Sequence, residues 1–409
     1  MAGNTTAFDE SLITCKRPSW GAVYAMGLCG FALIASEFLP VSLLSPIAAE
    51  LQLTEGQAGQ TISISGLFAL ISSLLISIVA GRFDRKYMLL VLTASLMISG
   101  MIVAFAPNYA VMMAGRALLG CAIGGFWSMS AATAMRLVPA ASVMTALAIV
   151  NGGNAIASTV AAPLGSFAGG LFGWRGTFFC VVPVAALAFV WQARSLPSLP
   201  APERRMDGKG GMLELLRRPA LMLGLLAVAL LFAGQFALFT YLRPFLEQVT
   251  QLSLPMLSAV LLAIGLAGFM GTLMIGRVPK RYLDHTLAIL PAIMAVVAVA
   301  LSVYGRSVPV TVVLLAVWGF AATAAPVAWW SWLGRTVPDA AEAGGGLMVA
   351  VIQLAITLGA SVGGLVYDAL GPSSEFLASG LVLILASLVA FAGIRRQGGT
   401  ARVTAAHDQ

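Results

Sequence analysis

The sequence predicts an all-α polytopic membrane protein with twelve helices in two related halves of six. Three observations carry that prediction. Of 409 residues, 59% are hydrophobic and only 10% charged, against about 25% charged in soluble domains. Apolar runs of about 20 residues, enough to cross a bilayer, recur along nearly the whole chain. The basic residues gather between alternate runs. Only helices or closed barrels satisfy their backbone in lipid, and these runs lack the period-two alternation of barrel strands.

The runs follow in order. The first, 20–47, is ALIASEFLPVSLLSPIA at its centre and holds a single acid, Glu37. The second and third, 54–80 and 86–106, flank the basic turn GRFDRKY at 81–87. The fourth, 109–136, places Arg116 ahead of glycines at 120 and 124. The fifth, 140–171, holds Asn151, Asn154 and the small-residue stretch AAPLGSFAGG at 161–170; the sixth is 174–194. The polar stretch SLPSLPAPERRMDGKGGMLELLRR (195–218) reads as a linker. The seventh run, 219–247, contains GQFALFTYLRPFLE. The eighth and ninth, 253–276 and 284–304, flank a second basic turn, GRVPKRY at 276–282. The tenth, 308–335, ends in a tryptophan cluster, the eleventh, 341–369, holds Gln353, and the twelfth is 373–394. This gives an N-terminal tail 1–19, a bundle 20–194, the linker 195–218, a second bundle 219–394 and a C-terminal tail 395–409.

The formal net charge is +7. All of the 23 basic residues except Arg116, Arg175, Arg243 and Arg306 fall in segments on the side of the termini and linker. That bias is the positive-inside pattern. It predicts cytosolic termini, and it makes the basicity topological rather than a nucleic-acid footprint. The four cysteines, Cys15, Cys29, Cys121 and Cys180, have no metal-ligand spacing. The first apolar run is too long for a cleaved signal.

The two bundles share short segments in the same order. GRFDRKYM (81–88) matches GRVPKRYL (276–283) at an offset of 195, RLVP (136–139) matches RTVP (335–338) at 199, and SEFLPV (36–41) falls opposite GQFALF (234–239) at 198. Duplicated six-helix halves joined by one loop are a secondary-transporter plan, with the substrate site between the halves near the bilayer midplane.

At this point the residues resemble the major facilitator superfamily, and within it the twelve-span drug:proton antiporters. EFLPVSLLSPIA (37–48) is similar to a first-helix signature of sugar, arabinose and nucleoside exporters. GRALLGCAIGGFWSMSA (115–131) is similar to the fourth-helix motif, and TYLRPFLE (240–247) to the seventh helix of the same subgroup. The resemblance implies proton-driven export of a small molecule, purine ribonucleosides such as inosine and guanosine foremost, by a monomer that needs no cofactor beyond the proton gradient. A sugar or multidrug exporter of the same family, with drug resistance as its outcome, stays open, as does an uncoupled facilitator. Two motifs depart from the family pattern. The second-to-third turn has Gly81 at the usual Asp and Asp84 at the usual Gly. The fifth-helix antiporter motif keeps Pro163 and Gly165 but has Ala162 in place of a glycine.

Individual residues suggest roles. An acid at a helix centre costs about 2.5–3.5 kcal/mol on insertion scales and is functional when it faces a cavity, so Glu37 is the candidate proton carrier. The competing readings are a structural acceptor or a place in the outer interface. Arg116 stays charged and is expected to tune or pair with that carboxylate, or to clamp helices. Asn151, Asn154, Gln235 and Gln353 supply amides, and Trp127, Trp330, Phe236 and Phe239 supply flat faces, a set that fits a purine. Packing or interfacial anchoring is the alternative for each. Arg82, Asp84 and Arg85 are expected to latch helix ends during gating, with Pro163, Gly165 and Arg243 at the moving seams. Arg243 and Glu247, four apart on one face, also read as a simple structural pair near the outer end. The second turn has Pro279 where the first has Asp84, so it lacks a matching acid. Asp368 reads as an interfacial residue. Enzyme signatures such as H-E-x-x-H and paired intramembrane aspartates are absent from the sequence.

Overall fold

The computed structural model describes residues 18–79, 83–200, 215, 217–278, 280–337 and 341–407. Among them run twelve long helices: α1 Trp20–Leu51, α2 Glu55–Val79, α3 Arg85–Ala104, α4 Tyr109–Leu137, α5 Val143–Phe179, α6 Val181–Ser195, α7 Pro219–Thr240, α8 Leu254–Ile275, α9 Lys280–Tyr304, α10 Val308–Thr336, α11 Ala341–Leu370 and α12 Pro372–His407. A short helix, Leu242–Gln248, extends α7 after a break at Tyr241.

Residues 143–195 form one apolar helical stretch of 53 residues, about 80 Å as a straight rod and far more than a bilayer needs. It breaks at Gly173, whose φ of 69° and ψ of 172° lie where only glycine sits without strain. Both α5 and α6 pack on α1, so the chain doubles back at this corner. The corner is pinned to the far end of α1. Trp174 Nε1 donates to Glu50 Oε2 at 2.6 Å, and Arg175 pairs with Glu50 Oε1 at 2.9 Å while its guanidinium lies 4.2 Å from the Trp174 ring. The apolar stretches counted from either side of this break make twelve crossings.

Each half has its own core. Met26, Leu33, Phe126, Trp174 and Phe178 belong to one built from α1–α6. Leu231, Phe245, Trp318, Trp329 and Phe376 belong to one built from α7–α12. The halves meet along two seams, α2 against α11 and α5 against α8. Several hydrogen bonds that join them among the described residues lie toward the end away from the linker, here the distal end. They include Gln60 with Ser361, Thr357 with the Ser63 carbonyl, and Ser258 with Ser166. Toward the linker end, a side chain added at Gly152 of α5 or Gly346 of α11 would meet nothing within 4 Å.

Ser198 and Leu199, at the start of the linker, dock on the end of α3. Asp84 caps that helix by accepting from the Lys86 amide at 2.8 Å, and it also accepts from the Leu199 amide at 2.9 Å and the Ser198 hydroxyl. Arg136, in the last turn of α4, donates to the Pro200 carbonyl at 2.9 Å. Burial of the Asp84 carboxyl opposes its ionisation, but these hydrogen bonds and the Arg136 charge together hold it below the usual carboxylate range. Arg82 lies outside the described residues, as does Pro279.

The second half has its own acid after all. Asp284 Oδ1, a turn inside α9, accepts from Arg335 at 2.6 Å, joining the ends of α9 and α10. The sequence expectation looked for it at Pro279, in the turn, whereas the partner of Arg335 comes from the helix.

Candidate functional site

The site is built on a proline in α1 and a glycine stripe in α4. Pro40 has no amide hydrogen, so the Ser36 carbonyl four residues earlier loses its helical donor. Arg116 fills that vacancy: Nη1 donates to the Ser36 carbonyl at 2.8 Å and Nη2 reaches the Glu37 carbonyl at 3.4 Å. Its Nε donates to the Thr61 carbonyl at 2.9 Å and Nη2 to the Ser65 hydroxyl at 3.1 Å.

Arg116 is fully buried and reaches α2 because of the residues that follow it. A Cβ on Gly120 would strike the Ser65 carbonyl, and one on Gly124 the Ala69 carbonyl. Positions 116, 120 and 124 of α4 therefore face 61, 65 and 69 of α2 backbone to backbone, with the arginine ending the stripe.

Glu37 is 5% exposed. It lies 17 residues from one end of α1 and 14 from the other, or roughly 26 Å and 21 Å along the axis. That is close to the middle of the helix and away from both ends. The guanidinium of Arg116 is spent on backbone carbonyls and a hydroxyl of α1 and α2, the helix clamp that was one of its two readings, and it makes no ion pair with the Glu37 carboxylate. The Glu37 carboxyl group makes no ion pair among the described residues.

Beside Glu37, Phe38 touches the second half. Its ring centroid lies 6.1 Å from Phe236 and 5.9 Å from Phe239 of α7. Phe31, Phe38 and Trp127 pack around Ile34, Ala35, Ala157 and Ala161, so α1, α4 and α5 form one aromatic-edged wall. Phe31, Ile34 and Phe38 share a helical face by their spacing; that signal was available in the sequence, where only the α7 phenylalanines stood out.

The amides divide. Gln235 Oε1 and Gln353 Nε2 are buried without a hydrogen-bond partner, an acceptor on α7 and a donor on α11. Asn154 accepts from Ser158 within α5, and Asn151, exposed, donates to the Leu147 carbonyl of its own helix. Trp330 is 42% exposed while Trp329 and Trp332 are buried. Pro163 and Gly165 lie buried where α5 meets α1.

At the distal end Asp368, predicted to be merely interfacial, is a cap. Its Oδ1 accepts from the Gly56 amide at 2.9 Å and its Oδ2 from the Thr54 hydroxyl at 2.6 Å. Thr54 and Gln57 already satisfy each other's amides in a capping box. The carboxylate of one half thus closes the helix start of the other, where the helix dipole favours a negative charge. Nothing in the local sequence around Asp368 signals a partner 312 residues away.

The fold and this central site define a membrane transporter, not an enzyme. The chain belongs to the Major Facilitator Superfamily, whose family model matches residues 26–347. Among its relatives, a Pseudomonas aeruginosa protein named transcription regulatory protein OpdE is 56% identical over 374 residues, 91% of this chain and 93% of that one. Proteins from Salmonella enteritidis and Salmonella typhi named purine ribonucleoside efflux pump NepI are 42% identical over 379 residues, 93% of this chain and 95% of theirs. A bacterial homologue of the human lysosomal transporter Spinster, solved inward-facing and unoccupied, superposes with a TM-score of 0.76 at 15% identity, over 93% of this chain and 98% of that chain. The human organic anion transporter MFSD10 gives 0.65 at 18%, over 91% and 100%. At those identities the two structures speak for the fold alone.

Proposed function

We propose that the chain is a proton-coupled antiporter of the bacterial inner membrane that exports purine ribonucleosides by alternating access, with Glu37 as the proton carrier. The observations that carry this reading are two buried amide atoms without a partner, Gln235 Oε1 on α7 and Gln353 Nε2 on α11, together with a mid-helix Glu37 that makes no ion pair among the described residues. Buried polar groups left without partners are costly, and a ligand bearing both donors and acceptors would satisfy them. Phe38, Phe236, Phe239 and Trp127 offer faces and edges for a flat heterocycle.

Identity to the ribonucleoside pumps over nearly the whole chain supports the same substrate class. The positive-inside pattern puts the linker end in the cytosol, so joined distal ends correspond to an inward-facing state. An exporter that sets the cytosolic level of an effector also changes transcription, which reconciles this reading with the name of the 56%-identical relative.

The test of the substrate class is equilibrium binding of labelled inosine to the purified protein. Competition by guanosine, but not by arabinose or a lipophilic cationic drug, is expected. Displacement by the sugar or the drug with no effect of guanosine would reject the nucleoside reading.

A further inference from the structure

The two prolines of α1 serve different purposes. Pro40 frees the Ser36 carbonyl for Arg116, a contact made wholly inside the first half. Pro46 frees the Ser42 carbonyl in the same way, and the donor that takes it comes from the other half. Arg243, on the short helix Leu242–Gln248 after α7, donates through Nη1 to the Ser42 carbonyl. Its Nε donates to Glu247 at 2.8 Å, which fixes the guanidinium plane. Arg243 is 6% exposed, so the contact is shielded from solvent, where a hydrogen bond to a charged donor counts most. The same logic recurs in α10: Pro326 frees the Ala322 carbonyl, which lies 3.5 Å from Gln235 Nε2.

We propose that Arg243 is the pin that holds the distal ends of the two halves together, and that Pro46 creates its socket by leaving the Ser42 carbonyl without a helical donor. The inference rests on the alternating-access reading, because a pin has a purpose only if the distal ends also part. Arg243 positions the halves and takes no part in substrate contact. In an ordinary helix the Ser42 carbonyl would be occupied by the amide of residue 46, and the arginine would have nothing in the first half to hold. Pro46→Ala restores that amide and closes the socket while leaving the pin in place. Arg243→Gln keeps an amide donor but removes the charge and the fork.

The experiment places spin labels at Ala110 and Arg306, exposed distal positions in the two halves, on full-length protein whose native cysteines are replaced. Distance distributions are then recorded for the unsubstituted protein, Pro46→Ala, Arg243→Gln and the double variant. Each single substitution is expected to raise the ratio of distally open to closed molecules by about tenfold. The double variant should match the singles, since both remove one contact, whereas Pro40→Ala combined with Arg243→Gln should give the product of their separate effects. An unchanged distribution in Pro46→Ala, or full additivity of Pro46→Ala with Arg243→Gln, overturns the proposal. A distribution that never opens in any variant would instead reject alternating access itself. The readout needs no substrate, so failure of the nucleoside assignment leaves the test intact.

Discussion

Glu37 and Arg116 sit on adjacent helices at one level, yet the guanidinium binds the carbonyls of residues 36 and 37 and makes no ion pair with the carboxyl. The arginine therefore sets where the acid stands without neutralising it. On the proposal above, Glu37→Gln is expected to abolish gradient-driven export while one-for-one exchange of labelled nucleoside persists; wild-type gradient-driven export in that variant would remove Glu37 as carrier. Arg116→Lys keeps the charge but not the fork. It should strand at least one buried acceptor, at a cost of about 1–3 kcal/mol, read as a lower unfolding temperature in detergent. A single acid in a greasy run was visible in the sequence. That its arginine partner would bypass it was not, because the acceptor arises from a missing amide at Pro40, four residues away.

At the scale of elements, α4 docks on α2 through Gly120 and Gly124, and that close approach delivers Arg116 to Thr61 and Ser65. Gly124→Ala would push the methyl into the Ala69 carbonyl, costing about 1–3 kcal/mol as overpacking. The same unfolding assay should show it, and an unshifted transition would contradict the backbone contact. The linker start offers a pH test. Asp84 has a lowered pKa, so its contribution to holding Leu199 is complete above the value of a free aspartate, about 3.9, and is lost as pH falls through the lower folded value. At neutral pH Asp84→Asn should speed hydrogen exchange at the Leu199 amide, and equal rates would deny the clamp. The crossings were legible because apolar length decides them, and the break at Gly173 fell in the gap between the fifth and sixth apolar runs. The Asp284–Arg335 pair was not legible, because the acid entered the helix and left the turn that the repeat highlighted.

For the whole molecule, the duplication seen in the sequence implied two halves, and the structure adds which ends they share. The distal closure uses Asp368 as a cap for α2, Arg243 against Ser42, and Gln60 with Ser361. These contacts join residues about 200 to more than 300 positions apart, so no local pattern announces them. The aromatic wall was half legible: Trp127 stood out, as did Phe236 and Phe239 of α7 that face it, while Phe38 was hidden beside the more conspicuous Glu37. The account stands on coupling between proton and nucleoside, and reconstituted or everted vesicles test it most directly. With the interior acidified, labelled inosine should accumulate inside, and collapsing the proton gradient with an ionophore should stop accumulation. Inosine uptake of the same rate and extent with and without the gradient would contradict proton-coupled antiport.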